Sequence, residues 1–183
     1  MIVRNIEKDI LMEEKKYLPR LIDKKIERYL RVFGAISIEG PKWSGKTWTS
    51  RHHAKSEFYL SNNKYSSNAI SLVQIDPSLA LKGEAPHLVD EWQIYPPLWD
   101  IIRNDIDEKQ GKGLYILTGS STPNKDGIFH SGAGRFAKLK MSTMSLYESK
   151  DSSGTISIMD MFNGNFENTM EGSVELENLI YDI

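Results

Sequence analysis

The sequence predicts an α/β protein with three layers (α/β/α), built on a mostly parallel five-stranded sheet. Three observations carry the prediction. Short apolar runs bounded by turn residues alternate with helical patterns along the chain, the order in which parallel strands and crossover helices are laid down. A glycine-rich stretch, Gly40-Pro41-Lys42-Trp43-Ser44-Gly45-Lys46-Thr47, follows one such run and opens a helical segment. A second apolar run, His87-Leu88-Val89, ends in the paired acids Asp90-Glu91. Ligands of open parallel sheets bind beyond the carboxyl ends of strands, where both polar elements fall.

Taken in order, residues 5–17 form a charged lead-in with helical character, broken at Tyr17-Leu18-Pro19-Arg20. Leu21, Ile22, Ile26, Leu30 and Phe33 recur at helical spacing and predict a helix packed on the sheet ahead of its first strand. That strand is Ala35–Glu39, an apolar run suited to burial on both faces. Lys46 to Lys55 holds no Pro or Gly and continues as a helix, although Thr47, Trp48 and Thr49 make its first turn mediocre on propensity. Phe58-Tyr59-Leu60 is a weak second strand, and the polar stretch Ser61 to Asn68 reads as a loop.

The third strand is His87–Val89, running into the acids. Pro97 to Lys109 is a helix with Pro at its start and Leu98, Ile101, Ile102 and Ile106 on one side. Leu114–Thr118 is the fourth strand, Gly119 to Pro123 turns away from it, and Lys138 to Ser145 is the fifth. The organisation expected is a helical lead-in over 1–33, a core over 34–150, and the beginning of a further region over 151–183. No internal repeat or low-complexity tract is present.

Bulk properties narrow the function classes. Apolar content of 39% and charged content of 26% are those of an ordinary globular chain. A net charge of −2 lacks the basic footprint of a protein that lives by phosphate-backbone contacts. The lysines and arginines between Lys15 and Arg31 are interleaved with acids, as on a solvated helix face. Nucleic acid is therefore not indicated. No apolar run could span a bilayer, the N-terminus is charged throughout, and cysteine is absent. These features point to a cytoplasmic protein without disulfides, thiolate metal sites or membrane association.

The 40–47 stretch matches G-x-x-x-x-G-K-[ST], and each residue type has a reason. Glycines let the backbone curl so that successive N–H groups face phosphate oxygens. Lys46 brings a point charge to the β and γ phosphates, and the Thr47 hydroxyl can ligate Mg²⁺. A helix opening at Gly45 adds the positive end of its dipole. The candidate nucleotide contacts are Gly40, Pro41, Lys42, Trp43, Ser44, Gly45, Lys46 and Thr47, with Trp48 beside them. Asp90 is placed to hold Mg²⁺ with Thr47, usually through water, and Glu91 to polarise an attacking water.

Other positions leave two readings open. Thr118, or Ser120 after it, either senses a γ-phosphate between these groups or caps a turn. Arg135 follows the glycine stretch His130-Ser131-Gly132-Ala133-Gly134 and either reaches a neighbouring subunit's phosphate or makes a surface ion pair. Trp92, Tyr95 and Trp99 either stack a base or lie buried beneath the next helix. His52 and His53 read as helix surface, and no histidine spacing suggests a metal site.

Together, Tyr17-Leu18-Pro19-Arg20, GPKWSGKT, LVDEWQ at 88–93, ILTGSS at 116–121, HSGAGR at 130–135 and MSTMSLYES at 141–149 resemble a bacterial and archaeal family of AAA-type P-loop ATP-binding proteins. In that family a C-terminal domain of unknown function follows the ATPase core. The resemblance implies a P-loop NTPase fold of the additional-strand type, with one strand inserted between the phosphate-loop strand and the strand ending in Asp90-Glu91. It implies ATP and Mg²⁺ as cofactors, Glu91 as catalytic glutamate, Thr118 or Ser120 as sensor, and Arg135 as a finger acting in trans within a homo-oligomer. Members run on for about one more domain, so a C-terminally truncated member is expected. No guanine-reading Asn-Lys-x-Asp stretch occurs. The function expected is ATP binding and hydrolysis as a nucleotide-dependent switch. The alternatives are a nucleotide-binding interaction module without turnover, or a kinase on the same fold.

Overall fold

The computed structural model describes residues 17–61, 66–119, 132–155 and 157–164, with backbone only at 66–68. Among them, five strands form one sheet: β1 Ala35–Glu39, β2 Ser56–Tyr59, β3 His87–Asp90, β4 Tyr115–Gly119 and β5 Phe136–Lys140. The order is β2-β3-β4-β1-β5, and every neighbouring pair is parallel. β4 thus stands between the strand that feeds the phosphate loop and the strand that ends in Asp90. This is the inserted strand that the resemblance implies.

Alternation along each strand divides the apolar residues between two cores. Ala35, Val89, Tyr115, Leu117 and Phe136 face one side, where α4 (Leu98–Lys109) supplies Leu98, Trp99, Ile102 and Ile106, and Val73 of α3 (Ser66–Ile75) joins them. Ile36, Ile38, Leu88, Ile116 and Leu139 face the other. There α1 (Asp23–Leu30) buries Ile26 completely, with Tyr29 and Leu30 packed beside it. The helix that follows the phosphate loop, α2 (Lys46–His53), closes with Ala54 against the same core. Helices on both faces of one sheet make the three layers.

Trp92 and Trp99 are 1% and 3% exposed. The Trp99 ring stacks on Phe136 at 4.0 Å between centroids, and Trp92 lies 4.9 Å from Trp99. These tryptophans are core, and neither is available to a base.

Several expected boundaries shift, each for a local reason. β5 spans Phe136–Lys140 instead of starting at Lys138, because Phe136 pairs with Ala35. It stops at Lys140 because its partner β1 ends at Glu39, leaving no strand to pair with beyond it. β2 begins at Ser56, opposite His87, two residues before the apolar run. Ser66 begins a helix, so the expected loop is too long at that end, and residues 62–65 lie outside the described residues. α2 ends at His53, since Ala54 is extended and the Lys55 N–H donates to the Pro86 carbonyl at 2.9 Å.

Past the sheet, α5 (Leu146–Ser149) and α6 (Ile158–Phe162) are short, and each opens with a serine–acid capping box. Among the described residues, no helix is long and apolar enough to cross a membrane.

Candidate nucleotide site

β1 runs straight into the glycine stretch, and α2 rises from Gly45, whose φ of +89° is left-handed. Without a Cβ, Gly45 meets no strain there. Gly40 is required for a different reason. A Cβ on it would lie 2.1 Å from the Met141 carbonyl oxygen, because the chain leaving β5 passes directly under the loop.

Lys46 is only 8% exposed. Its ammonium donates to the carbonyls of Gly40 at 3.0 Å and Pro41 at 2.9 Å, folding back over its own loop. The Ser44 hydroxyl is buried and has no hydrogen-bond partner among the described residues. Trp43 stands out of the loop with φ +69° and 87% exposure, its ring 5.5 Å from the Lys42 ammonium.

Across the strand ends, the Thr47 hydroxyl donates to Asp90 Oδ1 at 2.8 Å. Asp90 is buried, and Thr118 on β4 is completely so. The β3 strand ends there because Glu91 takes a left-handed conformation, φ +58°, before a 3₁₀ turn over Trp92–Ile94. The Gln93 side-chain amide donates to Glu91 Oε2, and this partner was not singled out in the sequence. Its signal was available in LVDEWQ, since a tight turn folds residue i+2 back onto residue i.

Beside the loop lies an apolar recess of ≈ 320 Å³, lined by Tyr17, Leu18, Arg20, Gly45, Trp48, Thr49 and Met144. Of these only Gly45 and Trp48 were expected at the site. Thr49 follows them on α2, whereas Tyr17, Leu18, Arg20 and Met144 come from chain segments before and after the sheet, and no local pattern announces their convergence.

Arg20 is another residue missed by motif reasoning. Its guanidinium donates to the Ser44 carbonyl at 3.0 Å, directly behind the loop. Asp23, three residues on, accepts from the Tyr17 hydroxyl at 2.7 Å and contacts His53 Nε2 at 3.0 Å. Burial pushes the Asp23 carboxyl up, but the hydrogen bonds from His53, Tyr17 and the Arg20 N–H outweigh it and hold the group below its ordinary value. His53 is therefore a paired, 9%-exposed side chain instead of free helix surface.

Arg135 does not join this cluster. It precedes β5, whose first residue pairs with the first residue of β1, whereas the loop leaves from the last residue of β1. A five-residue strand separates them, roughly 16 Å. Its Nε donates to Asp107 Oδ1 at 2.7 Å on its own chain. Ser120 and His130 lie outside the described residues.

A strand, a glycine loop and a helix start, with a buried Asp90 held across an inserted strand, define a P-loop protein of the additional-strand class. The chain belongs to the AAA domain family: the family model described as "AAA domain" matches residues 33–150, well over half of its length. It therefore contains a nucleotide-binding AAA module. No curated protein matches the chain. Among solved structures, the closed state of Hsp104 with ATPγS and FITC-casein is similar at 13% identity and a TM-score of 0.40, over 70% of this chain and 28% of that one. The FIGL-1 AAA domain in complex with ADP is similar at 15% identity and a TM-score of 0.40, over 72% and 51%. The chain thus spans about a quarter and about half of these two structures' lengths.

Proposed function

We propose that the chain binds Mg·ATP and hydrolyses it to ADP and phosphate, working as a nucleotide-dependent switch in the cytoplasm. The observation that carries this reading is the pair Thr47–Asp90. It joins the phosphate loop to the acidic strand end at one site and leaves Glu91 adjacent.

In this reading the Lys46 ammonium exchanges the Gly40 and Pro41 carbonyls for β- and γ-phosphate oxygens, which are stronger, charged acceptors. Loop N–H groups, Gly45's among them, receive the remaining phosphate charge, and the unpartnered Ser44 hydroxyl acquires an acceptor. The Thr47 hydroxyl and the Asp90 carboxylate, through water, would hold Mg²⁺. One hydroxyl and one carboxylate fit an ion that keeps several waters and takes phosphate oxygens for the rest. When bound, Mg²⁺ neutralises charge on the transferring phosphoryl group.

The Glu91 carboxylate orients a water for in-line attack and accepts its proton. Thr118 ties the Asp90 and Glu91 ends together. The recess along Gly45 and Trp48 has the apolar lining and position to take the base, with Trp48 half exposed at its wall.

Arg135 serves a neighbouring subunit in a homo-oligomer, because it lies too far from its own loop to serve in cis. Its pairing with Asp107 also supports a second reading, in which an isolated chain binds nucleotide without turning it over.

The test is Mg·ATP turnover over a wide range of protein concentration, beside Glu91→Gln and Lys46→Ala. Turnover per chain that rises with concentration and vanishes in Glu91→Gln is the expected result. Equal, negligible turnover in both, with ATP bound by wild type and not by Lys46→Ala, would replace the hydrolase reading with the binding-module one.

A further inference from the structure

We propose that Arg20 is a positioning residue for the phosphate loop, held in place by Glu148, so that nucleotide affinity depends on the docking of segment 141–149. The proposal rests on the reading that the loop binds nucleotide, and does not require hydrolysis.

The Arg20 side chain is 5% exposed and commits every edge of its fork. Nη1 donates to the Ser44 carbonyl at 3.0 Å, Nη2 to the Ser142 carbonyl at 3.0 Å, and Nε to Glu148 Oε1 at 3.0 Å. One rigid guanidinium therefore joins three stretches separated by 24 and more than 120 residues. A lysine ammonium could supply the charge but not the planar, three-edged geometry.

Glu148 is equally committed. Its Oε1 also accepts the Leu21 N–H at 2.7 Å, and its Oε2 accepts the Ser145 N–H and hydroxyl at 2.8 and 2.9 Å. With the charge of Arg20 neutralised behind the loop, this arginine is built to hold the loop and not to touch phosphate.

The effect on the loop follows from peptide geometry. In a planar trans peptide the carbonyl and the next N–H point in opposite directions. Arg20 draws the Ser44 carbonyl outward, so the Gly45 N–H is turned toward the concave side where phosphate binds. Gly45 packs onto the guanidinium so closely that a Cβ would lie 3.2 Å from Nη1. The chain leaving β5 supports the same loop from below, with the Met141 carbonyl against Gly40. If segment 141–149 lifts away, Arg20 loses Ser142 and Glu148 together, and the Ser44 peptide is free to rotate. By the same linkage, nucleotide holding the peptide in place tightens that segment.

Titration calorimetry with ADP and ATPγS on the full chain tests this, using wild type, Arg20→Lys, Glu148→Gln and the double variant, with circular dichroism to confirm the fold. Each single variant is expected to lower affinity about tenfold or more, as befits loss of a buried charge-assisted contact. The double variant should be no weaker than the weaker single one.

Hydrogen exchange supplies a readout that a merely structural arginine would not move. Nucleotide should slow exchange at Leu21 and Ser145, the Glu148 donors, in wild type and fail to do so in Arg20→Lys. Glu148→Gln keeps the shape of the side chain and answers the question if Arg20→Lys does not fold. Folded variants with unchanged affinity, while wild type binds and Lys46→Ala does not, overturn the proposal alone. Wild type that binds neither nucleotide overturns the nucleotide reading and the proposal with it.

Discussion

The Thr118 hydroxyl donates to Asp90 Oδ1 at 2.5 Å, and the Thr118 hydroxyl oxygen in turn accepts the Glu91 N–H at 3.0 Å. One threonine at the end of β4 thus fixes both acids at the end of β3, and Asp90 Oδ1 also accepts from Thr47. The hydroxyl is committed to protein groups on both its donor and acceptor sides. In this geometry Thr118 positions the acids. Thr118→Val keeps the shape, leaves the Glu91 N–H unpaired, and is expected to cut turnover about tenfold to a hundredfold. ATP affinity should change far less, and Thr118→Ser should restore most of the rate; steady-state kinetics with a binding isotherm separate the two effects.

Gly40→Ala forces a methyl group into the Met141 backbone oxygen, a contact that no side-chain rotation relieves. The expected cost is about 1–3 kcal/mol of stability, as for other overpacked sites, and nucleotide affinity falls as the loop shifts. Urea unfolding and calorimetry on the same preparation check both.

Trp99 ties α4 to β5 by stacking on Phe136. Trp99→Ala removes a 3%-exposed ring and is expected to cost about 3–5 kcal/mol. Thermal melts should show a large fall in midpoint, whereas Trp43→Ala, on an 87%-exposed ring, should leave the midpoint nearly unchanged.

Acid should destabilise the fold in two windows. Burial holds the His87 imidazole below its ordinary 6.5, with the Ala80 carbonyl acting the other way. The folded state therefore binds this proton less readily than the unfolded chain. The His87 contribution is complete above 6.5 and is lost as pH falls below it. For Glu148, burial acts upward, but the N–H groups of Ser145 and Leu21, the Ser145 hydroxyl and Arg20 outweigh it and hold the group at about 2, against an ordinary 4.5. Its contribution is complete above 4.5 and lost on the way down to about 2. Unfolding free energies measured from pH 8 to pH 3 should bend near 6.5 and again below 4.5; Glu148→Gln should remove part of the second bend.

Arg135→Ala should leave nucleotide affinity unchanged and abolish turnover. Mixed with inactive Glu91→Gln, it should recover part of the activity, because one subunit then supplies the arginine and its neighbour the glutamate. No recovery on mixing would count against action in trans.

Legibility followed the range of the interaction. The three central strands were readable because residues such as Ile36, Ile38, Ile116 and Leu117 must be apolar to be buried from both faces. Lys46, Thr47 and Asp90 were readable because their chemistry fixes their local spacing. Arg20 and Glu148 were not, since their function lies in contacts across 128 residues and each alone resembles an ordinary surface charge. Ser66 to Asn68 looked like loop because serine and asparagine compete with helix locally, and only the following apolar turn, with Val73 in the core, commits the segment to a helix. The place of Arg135 needed the register of β5 on β1, which no motif states.

The outward stance of Trp43 has a practical side. Trp92 and Trp99 are sealed in the core and give a steady emission background, whereas the indole at position 43 rides on the loop itself, in water beside a lysine. Any rearrangement of that loop changes the polarity around Trp43 and around the half-exposed Trp48 beside it, and leaves the sealed pair alone. The protein thus carries its own optical reporter at the point where nucleotide would arrive.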